Sequence, residues 1–402
     1  MDPYAIAIPK EDDHLPDFLD IALPLLRLPT APFHEHRIVA AIDTLIDDWS
    51  GSHTPLSIER DVGGNLIIRY EGTNNGSWLY LTGHLDHPGF GFIEHLTRQD
   101  LLFERLGGLP VQFCRDAPVQ IHSTRDLHSP LSGTITAYLE DTLFEGERRP
   151  AFRVNVDEST TAVGPGSFAV WDLPPTETKK RKLRATACDD LAGVAVALTV
   201  LANLLKEGAR SRVALLLTRA EETGFGGMLD YAASDRLDQE GVFINIECSS
   251  CLAGAPLGDG PVIRVGDRRW LFDPQVTAAL VTAAADKSLA QLPYQRRLMD
   301  GGTCEATVLS RAGVPTAAVA LPLANYHNTG RRGVRREAID LDDAEHLVEL
   351  LTRVARTGAA NLLHSGDSLG EQLTKRHQLQ APRLHQTAPQ LPGSDSEERQ
   401  GQ

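Results

Sequence analysis

Short runs that are apolar on both faces recur along this chain, and no other feature constrains its fold as strongly. "WLYLTG", "RVALLLTRA", "GVFINIE" and "PTAAVALPL" lack the alternation of a half-exposed strand, so each must be covered on both sides. Between them lie segments of helical periodicity. "ALPLLRLPTAPFHEHRIVAAIDTLIDDW" is helical around a Pro-containing break, and "LAGVAVALTVLANLLKEG" is closed by Gly208. Buried strands alternating with helices predict an α/β fold, a mainly parallel sheet flanked by helices, built from residues 1–90 and 181–365.

The stretch 91–180 has a different pattern. "PVQIHS", "SGTITAYLE", "AFRVNVDES" and "GSFAVWDLP" are strand-like, separated by turn residues, with no long helix between them. They predict a small all-β domain inserted into the α/β domain, which a length of 402 residues accommodates. The polar, Pro-rich "APRLHQTAPQLPGSDSEERQGQ" places residues 366–402 in a disordered tail.

The net charge of -15 argues against nucleic acid or an anionic membrane surface as a partner. No apolar run approaches the roughly eighteen residues of a membrane span. "MDPYAIAIPKEDDHLPD" has neither the basic start nor the apolar core of a signal peptide, and five cysteines do not form a disulfide framework. A soluble cytoplasmic protein is expected.

Unusual polar residues cluster where these elements end. His84 and Asp86 follow "WLYLTG" in "GHLDHPGF". Asp189 and Asp190 open the long helix in "TACDDLAG". Glu221 and Glu222 follow "RVALLL", Glu247 ends "GVFINIE", and His327 lies just past "PTAAVALPL". In open α/β sheets this carboxyl edge is where sites form. Imidazole and carboxylate suit Zn²⁺ and neighbouring divalent ions, and the set is large enough for two ions if one carboxylate bridges them. Such a site explains why an apolar strand ends in two adjacent glutamates: one can ligate while the other takes a proton from bound water. Successive side chains of an extended segment diverge, so Gly224, Gly226 and Gly227 must let a loop bring both to the site. Asp190 is expected to cap the helix.

"GHLDHPGF", "CDDLAG", "AEETGFGG", "PLGDGPVI", "GGTCEA" and "AGVPTAAVALP" occur in an order that resembles metallopeptidase family 42, whose members include tetrahedral-assembly and glutamyl aminopeptidases and proteins labelled endoglucanases. The resemblance covers roughly residues 20–360 and implies a dinuclear zinc exopeptidase fold. It further implies that Asp189 bridges two divalent ions, zinc before cobalt or manganese. His84 and Glu247 would complete one ion's ligands, and Glu222 and His327 the other's. Glu221 would be the general base and Asp86 would orient His84. Peptide substrates and a homo-oligomer, dodecameric in many relatives, belong to the same implication.

Two positions depart from the family pattern. Glu247 stands where Asp is usual, as in the related family 20 of carboxypeptidases and aminoacylases, so an acylase, deacylase or carboxypeptidase is the alternative activity. Cys304, followed by Glu305, stands where "GGTDA" has its Asp. A glycosidase would use two carboxylates without metal and leaves the histidines without a purpose. Cys248 and Cys251 form a lone C-x-x-C, read as structural, and "GDSLG" at 366–370 lacks the strand-to-helix elbow of a serine hydrolase. His34, His36 and His87 receive no role.

Overall fold

The computed structural model describes residues 16–387, apart from 51–54, 124–129, 145, 158–159, 252–253, 287, 289 and 366. In chain order the strands are β1 (Leu56–Arg60), β2 (Leu66–Glu71), β3 (Leu79–His84), β4 (Gly89–His95), β5 (Asp100–Leu106), β6 (Pro118–His122), β7 (Leu131–Phe144), β8 (Glu147–Val156), β9 (Phe168–Trp171), β10 (Glu177–Lys179), β11 (Lys182–Ala185), β12 (Arg212–Thr218), β13 (Val242–Ser250), β14 (Val262–Asp267), β15 (Gln295–Met299), β16 (Thr316–Leu323), the short pair β17 (Thr329–Gly330) and β18 (Gly333–Val334), and β19 (Glu337–Asp340). The helices are α1 (Phe18–Leu25), α2 (His36–Trp49), α3 (Leu191–Glu207), α4 (Gly226–Ala233), α5 (Pro274–Ala284), α6 (Glu305–Arg311), α7 (Leu341–Thr357), α8 (Ala359–Ser365) and α9 (Asp367–Gln386).

The large sheet runs β1-β2-β12-β3-β13-β16-β14-β15. Its centre, β12-β3-β13-β16, is parallel and comes from the four apolar runs, while antiparallel pairings join β2 to β12 and β14 to β16. Each central strand is buried on both faces because helices cover both. Helix α3 packs on β3, α1 and α7, and α4 and α6 cover the opposite face with Met228, Tyr231 and Leu309. Apolar on every side, α3 has no exposed stripe until its last turn and ends where Gly208 turns left-handed at φ 60°.

Six strands between Gly89 and Trp171 close into a barrel, β4-β5-β8-β7-β6-β9. Closure leaves no free edge, and alternate residues such as Val119 and Ile121 or Phe152 and Val154 fill the interior. Phe90 packs edge-on against Phe152 and Trp171, with ring centroids 5.0 and 4.9 Å apart.

The tail corrects the sequence reading. Residues Asp367–Gln386 form helix α9 instead of disordered chain. Low hydrophobicity predicts that a segment buries little, and the described side chains from Gly370 to Thr387 are almost all exposed. Helix formation does not need burial: Glu371, Gln372, Leu373, Lys375, Arg376 and Gln378 are strong helix formers. From Asp367 onward, "GDSLG" belongs to this helix. Residues 388–402 and the N-terminal segment 1–15 lie outside the described residues. No helix among the described residues is long and apolar enough to cross a membrane.

Candidate metal centre and active site

His84 is the last residue of β3, and Glu221 follows the adjacent β12, whose Thr218 pairs with His84 in the parallel register. Glu247 lies within β13 instead of at its end, because pairing with β16 carries that strand on to Ser250. Asp189 precedes α3, and His327 sits in a short turn after β16. The sheet's carboxyl edge therefore gathers all five segments. His84, Asp189 and Glu247 offer ligand atoms within 4.8 Å of one another, and so do Asp189, Glu222 and His327.

Asp189 is common to both trios, and its two oxygens divide between them. Oδ1 lies 3.5 Å from His84 Nε2, and Oδ2 lies 3.6 Å from His327 Nε2. Both imidazoles are held from behind: His327 Nδ1 is 2.9 Å from the Gly108 carbonyl and His84 Nδ1 is 3.2 Å from that of Asp86. A proton on Nδ1 in each bond leaves the Nε2 lone pair facing the site. A Cβ at Gly108 would stand 2.6 Å from His327 Nδ1, so this approach of the barrel loop to His327 requires glycine.

Asp86 makes contacts beyond its approach to His84. Its carboxylate is 3.7 Å from His84 Nδ1, while Oδ1 and Oδ2 accept hydrogen bonds from the amides of Glu221 and Glu222, each at 3.0 Å. Two consecutive amides gripping one carboxylate wind the glutamates into a short 3₁₀ turn. Both side chains then reach the site: Glu221 Oε2 is 3.9 Å from His84 Nε2 and Glu222 Oε1 is 3.1 Å from His327 Nε2. The turn leaves through Gly224 at φ 111°, but the left-handed conformations on either side fall on Ala220 and Phe225.

Asp190 does not cap α3. Its side chain makes no cap bond to the helix and fills space left by two glycines: a Cβ at Gly193 would lie 2.2 Å from Oδ1, and one at Gly83 2.7 Å from Oδ2. Gly193→Ala is expected to lower stability by about 1–3 kcal/mol by overpacking this wedge, read as a drop in melting temperature relative to Ala192→Gly in the same helix. An unchanged melting temperature would contradict the wedge.

Three buried partners escaped the sequence reading. Glu337 receives the Asp189 amide on Oε2 at 3.0 Å and the His327 amide on Oε1 at 2.8 Å, tying the backbones of both residues together. His87 lies 2.7 Å from the Asp189 carbonyl and 3.0 Å from Asn328 Oδ1, and burial lowers its pKa. Glu305 accepts from Thr218 Oγ1 at 2.6 Å, and Cys304, one residue earlier, donates its amide to Asp267. His87 and Glu305 carried a signal, being inside "GHLDHPGF" and "GGTCEA"; Glu337 lies in an ordinary strand.

Electrostatics decides what the cluster can hold. Burial pushes Glu247 up to about 8, Asp86 and Glu305 up to about 7, and Asp190, Glu221 and Glu337 well above the carboxylate range. Burial opposes charge on His84 and His327 too. Yet Glu221 with its neighbouring acids, and Glu222 with Asp189, raise the two imidazoles well above their ordinary value. Burial likewise opposes the Asp189 charge, and the two imidazoles hold its pKa well below the usual range. Asp189 Oδ1 and Glu247 Oε1 are buried without a hydrogen-bond partner among the described residues, and Glu222 Oε1 and His327 Nε2, 3.1 Å apart, face each other as an ion pair. The pocket is thus short of positive charge and rich in unshared lone pairs, and divalent cations fit it.

An α/β sheet with these groups at its carboxyl edge defines a protein of the metallopeptidase class. The chain belongs to the M42 glutamyl aminopeptidase family, whose model matches residues 64–350, and it is accordingly a peptidase. Solved structures share the fold. A TET aminopeptidase from a marine sediment Thaumarchaeota archaeon is 18% identical, with a TM-score of 0.72 over 87% of this chain and 99% of that one. The Pyrococcus horikoshii TET1 peptidase, described as assembling into a tetrahedron or a large octahedral shell, is 21% identical, with a TM-score of 0.69 over 84% and 99%. A Thermotoga maritima protein described as an endoglucanase is 19% identical, with a TM-score of 0.61 over 86% and 99%.

Proposed function

We propose that this chain is a two-metal aminopeptidase that removes N-terminal residues from peptides. The observation that carries the reading is Asp189, whose two oxygens face separate imidazole–carboxylate trios. His84, Asp189 and Glu247 would hold one ion and Asp189, Glu222 and His327 the other, with zinc the metal that imidazole and carboxylate favour. Bound there, the pair would supply an activated water, a polarised scissile carbonyl and an anchor for the substrate's free amine.

Glu221 is the general base: it takes the proton of the attacking water and passes it to the leaving amine. Asp86 orients Glu221 and Glu222 through their amides, and Glu337 and His87 fix the backbone of Asp189. The chain forms a homo-oligomer, a dodecamer, in a cytoplasmic setting. All five cysteines are free thiols, which suits a reducing compartment.

Hydrolysis of matched peptides with free or acetylated N-termini, before and after chelation and with Zn²⁺ or Co²⁺ restored, tests this reading. Metal-dependent cleavage of the free-amine peptides alone is expected. Cleavage of only the acetylated set would transfer the activity to an acylase or carboxypeptidase, the alternative that Glu247 favours.

A further inference from the structure

Glu35, the residue before α2, is fully buried and reaches across the chain to the loop that carries Glu221. Its Oε1 accepts from the amide of Ala220 at 3.0 Å and from that of Phe33 at 2.8 Å, and its Oε2 accepts from Arg219 Nε at 2.8 Å. Arg219 continues the clamp through Nη1 to the Gly63 carbonyl at 3.0 Å and Nη2 to the Phe33 carbonyl at 3.3 Å. Ala220 is the left-handed residue, φ 53°, that turns the chain from β12 into the Glu221–Glu222 turn. A side-chain methyl disfavours that conformation by roughly 1–2 kcal/mol, so it persists where the surroundings impose it. The buried acceptor on its amide is such a restraint.

The residues on either side of Glu35 face the other way. His34 stacks on Phe168 at 4.9 Å between centroids, His36 meets the same ring edge-on at 6.2 Å, and the Arg37 guanidinium lies 5.5 Å from its centre. Phe168 belongs to β9, which pairs with β4 and β6 to close the barrel. One tripeptide, His34–Glu35–His36, therefore grips the barrel with its outer side chains and the catalytic loop with its central one.

We propose that Glu35 is a positioning residue for Glu221, and that the 34–36 segment couples the placement of the barrel to the geometry of proton transfer. This inference rests on Glu221 being the general base. The clamp holds Glu221 through the backbone and touches none of the metal-ligating atoms named above. Its loss should therefore misplace the base and leave the metal centre loaded.

The test uses the full-length chain as Glu35→Ala, Glu35→Gln and Phe168→Leu, alone and with Phe168→Leu combined with Glu35→Ala. Each is assayed for kcat, KM, bound metal per chain and amide hydrogen exchange at residues 219–222. Glu35→Ala is expected to lower kcat about 100-fold, the scale of a misplaced catalytic group, with KM changed by less than about twofold and metal content unchanged. Glu35→Gln keeps an acceptor for the Ala220 amide but loses the Arg219 pair, so a loss of about tenfold is expected. Phe168→Leu should lower kcat severalfold in the same KM-silent way and add little on top of Glu35→Ala. Wild-type kcat in Glu35→Ala, or loss of metal in parallel with activity, overturns the positioning role. Fully additive effects of Phe168→Leu overturn the coupling to the barrel.

If Glu35→Ala does not fold, Arg219→Met carries the same KM-silent expectation with the carboxylate in place. Were the unaltered protein to lack aminopeptidase activity, faster exchange at Ala220 and Glu221 in Glu35→Ala would still report the clamp. The proposed activity would then fail separately from this structural role.

Discussion

Glu221→Gln is expected to leave the protein folded and loaded with metal while lowering kcat by about 10²–10⁴-fold, the usual contribution of a positioned general base. The substitution keeps the shape of the side chain and one acceptor oxygen, and replaces the other oxygen, with its charge and its ability to take a proton, by an amide NH2. Glu221 shares a trio with His84 and Glu222 but belongs to neither the His84–Asp189–Glu247 nor the Asp189–Glu222–His327 set proposed to hold the ions, so metal content measured on the purified variant should match that of the unaltered protein. Glu222→Gln behaves differently, because Glu222 lies in the His327 trio and faces its imidazole at 3.1 Å. It should lose metal affinity and activity together. If the two variants behaved alike, the division of labour between the adjacent glutamates would be wrong.

Removing metal has the other large effect. Chelation should abolish peptide hydrolysis and lower the melting temperature, with both restored by Zn²⁺ or Co²⁺. A metal at a hundred times its dissociation constant stabilises the folded state by about 2.7 kcal/mol per site. The metal-free protein should also acquire a pH dependence of defined sign. Glu247 at about 8 and Asp86 at about 7 are raised above their ordinary values by burial. His84 and His327 are raised too, by the surrounding acids against the effect of burial. Each group binds its proton more tightly folded than unfolded, so its stabilising contribution is complete below the unfolded pKa and is lost as pH rises through the folded one. Asp189, held low, has the opposite sign, but its contribution is already complete by about pH 5. Between about pH 5 and 8 the chelated protein should therefore melt at progressively lower temperature, and bound metal should flatten that slope by replacing the protons. A chelated protein with a flat profile would contradict the acid-crowded pocket described above.

The clamp on Ala220 and the wedge at Asp190 show what a linear reading cannot reach. Glu35 and Ala220 lie 185 positions apart, and nothing local to "PFHEHR" distinguishes a carboxylate bound for a distant backbone amide from a solvated one. The same holds for Glu337, whose partners are the amides of Asp189 and His327. Asp190 stands at the N-cap position of α3, yet its side chain makes no cap bond and fills the space left by Gly83 and by Gly193 in the first turn. Helix α9 failed the reading for another reason: polarity forecasts exposure, whereas helicity follows backbone propensity, and in a surface helix the two separate.

What the sequence determined by itself was the part governed by local periodicity and by residue type. Apolar runs covered on both faces demand a helix-flanked parallel sheet, and His84, Asp189, Glu221, Glu222, Glu247 and His327 all sit near element ends that such a sheet brings to one edge. The tertiary structure alone decided how those groups face one another. Which oxygen of Asp189 meets which imidazole, which amides Asp86 grips, and which buried carboxylates stand behind the site depend on contacts between segments far apart in the chain. Side-chain patterns encode burial and backbone conformation residue by residue; long-range hydrogen bonds become specified only once packing has brought their partners together.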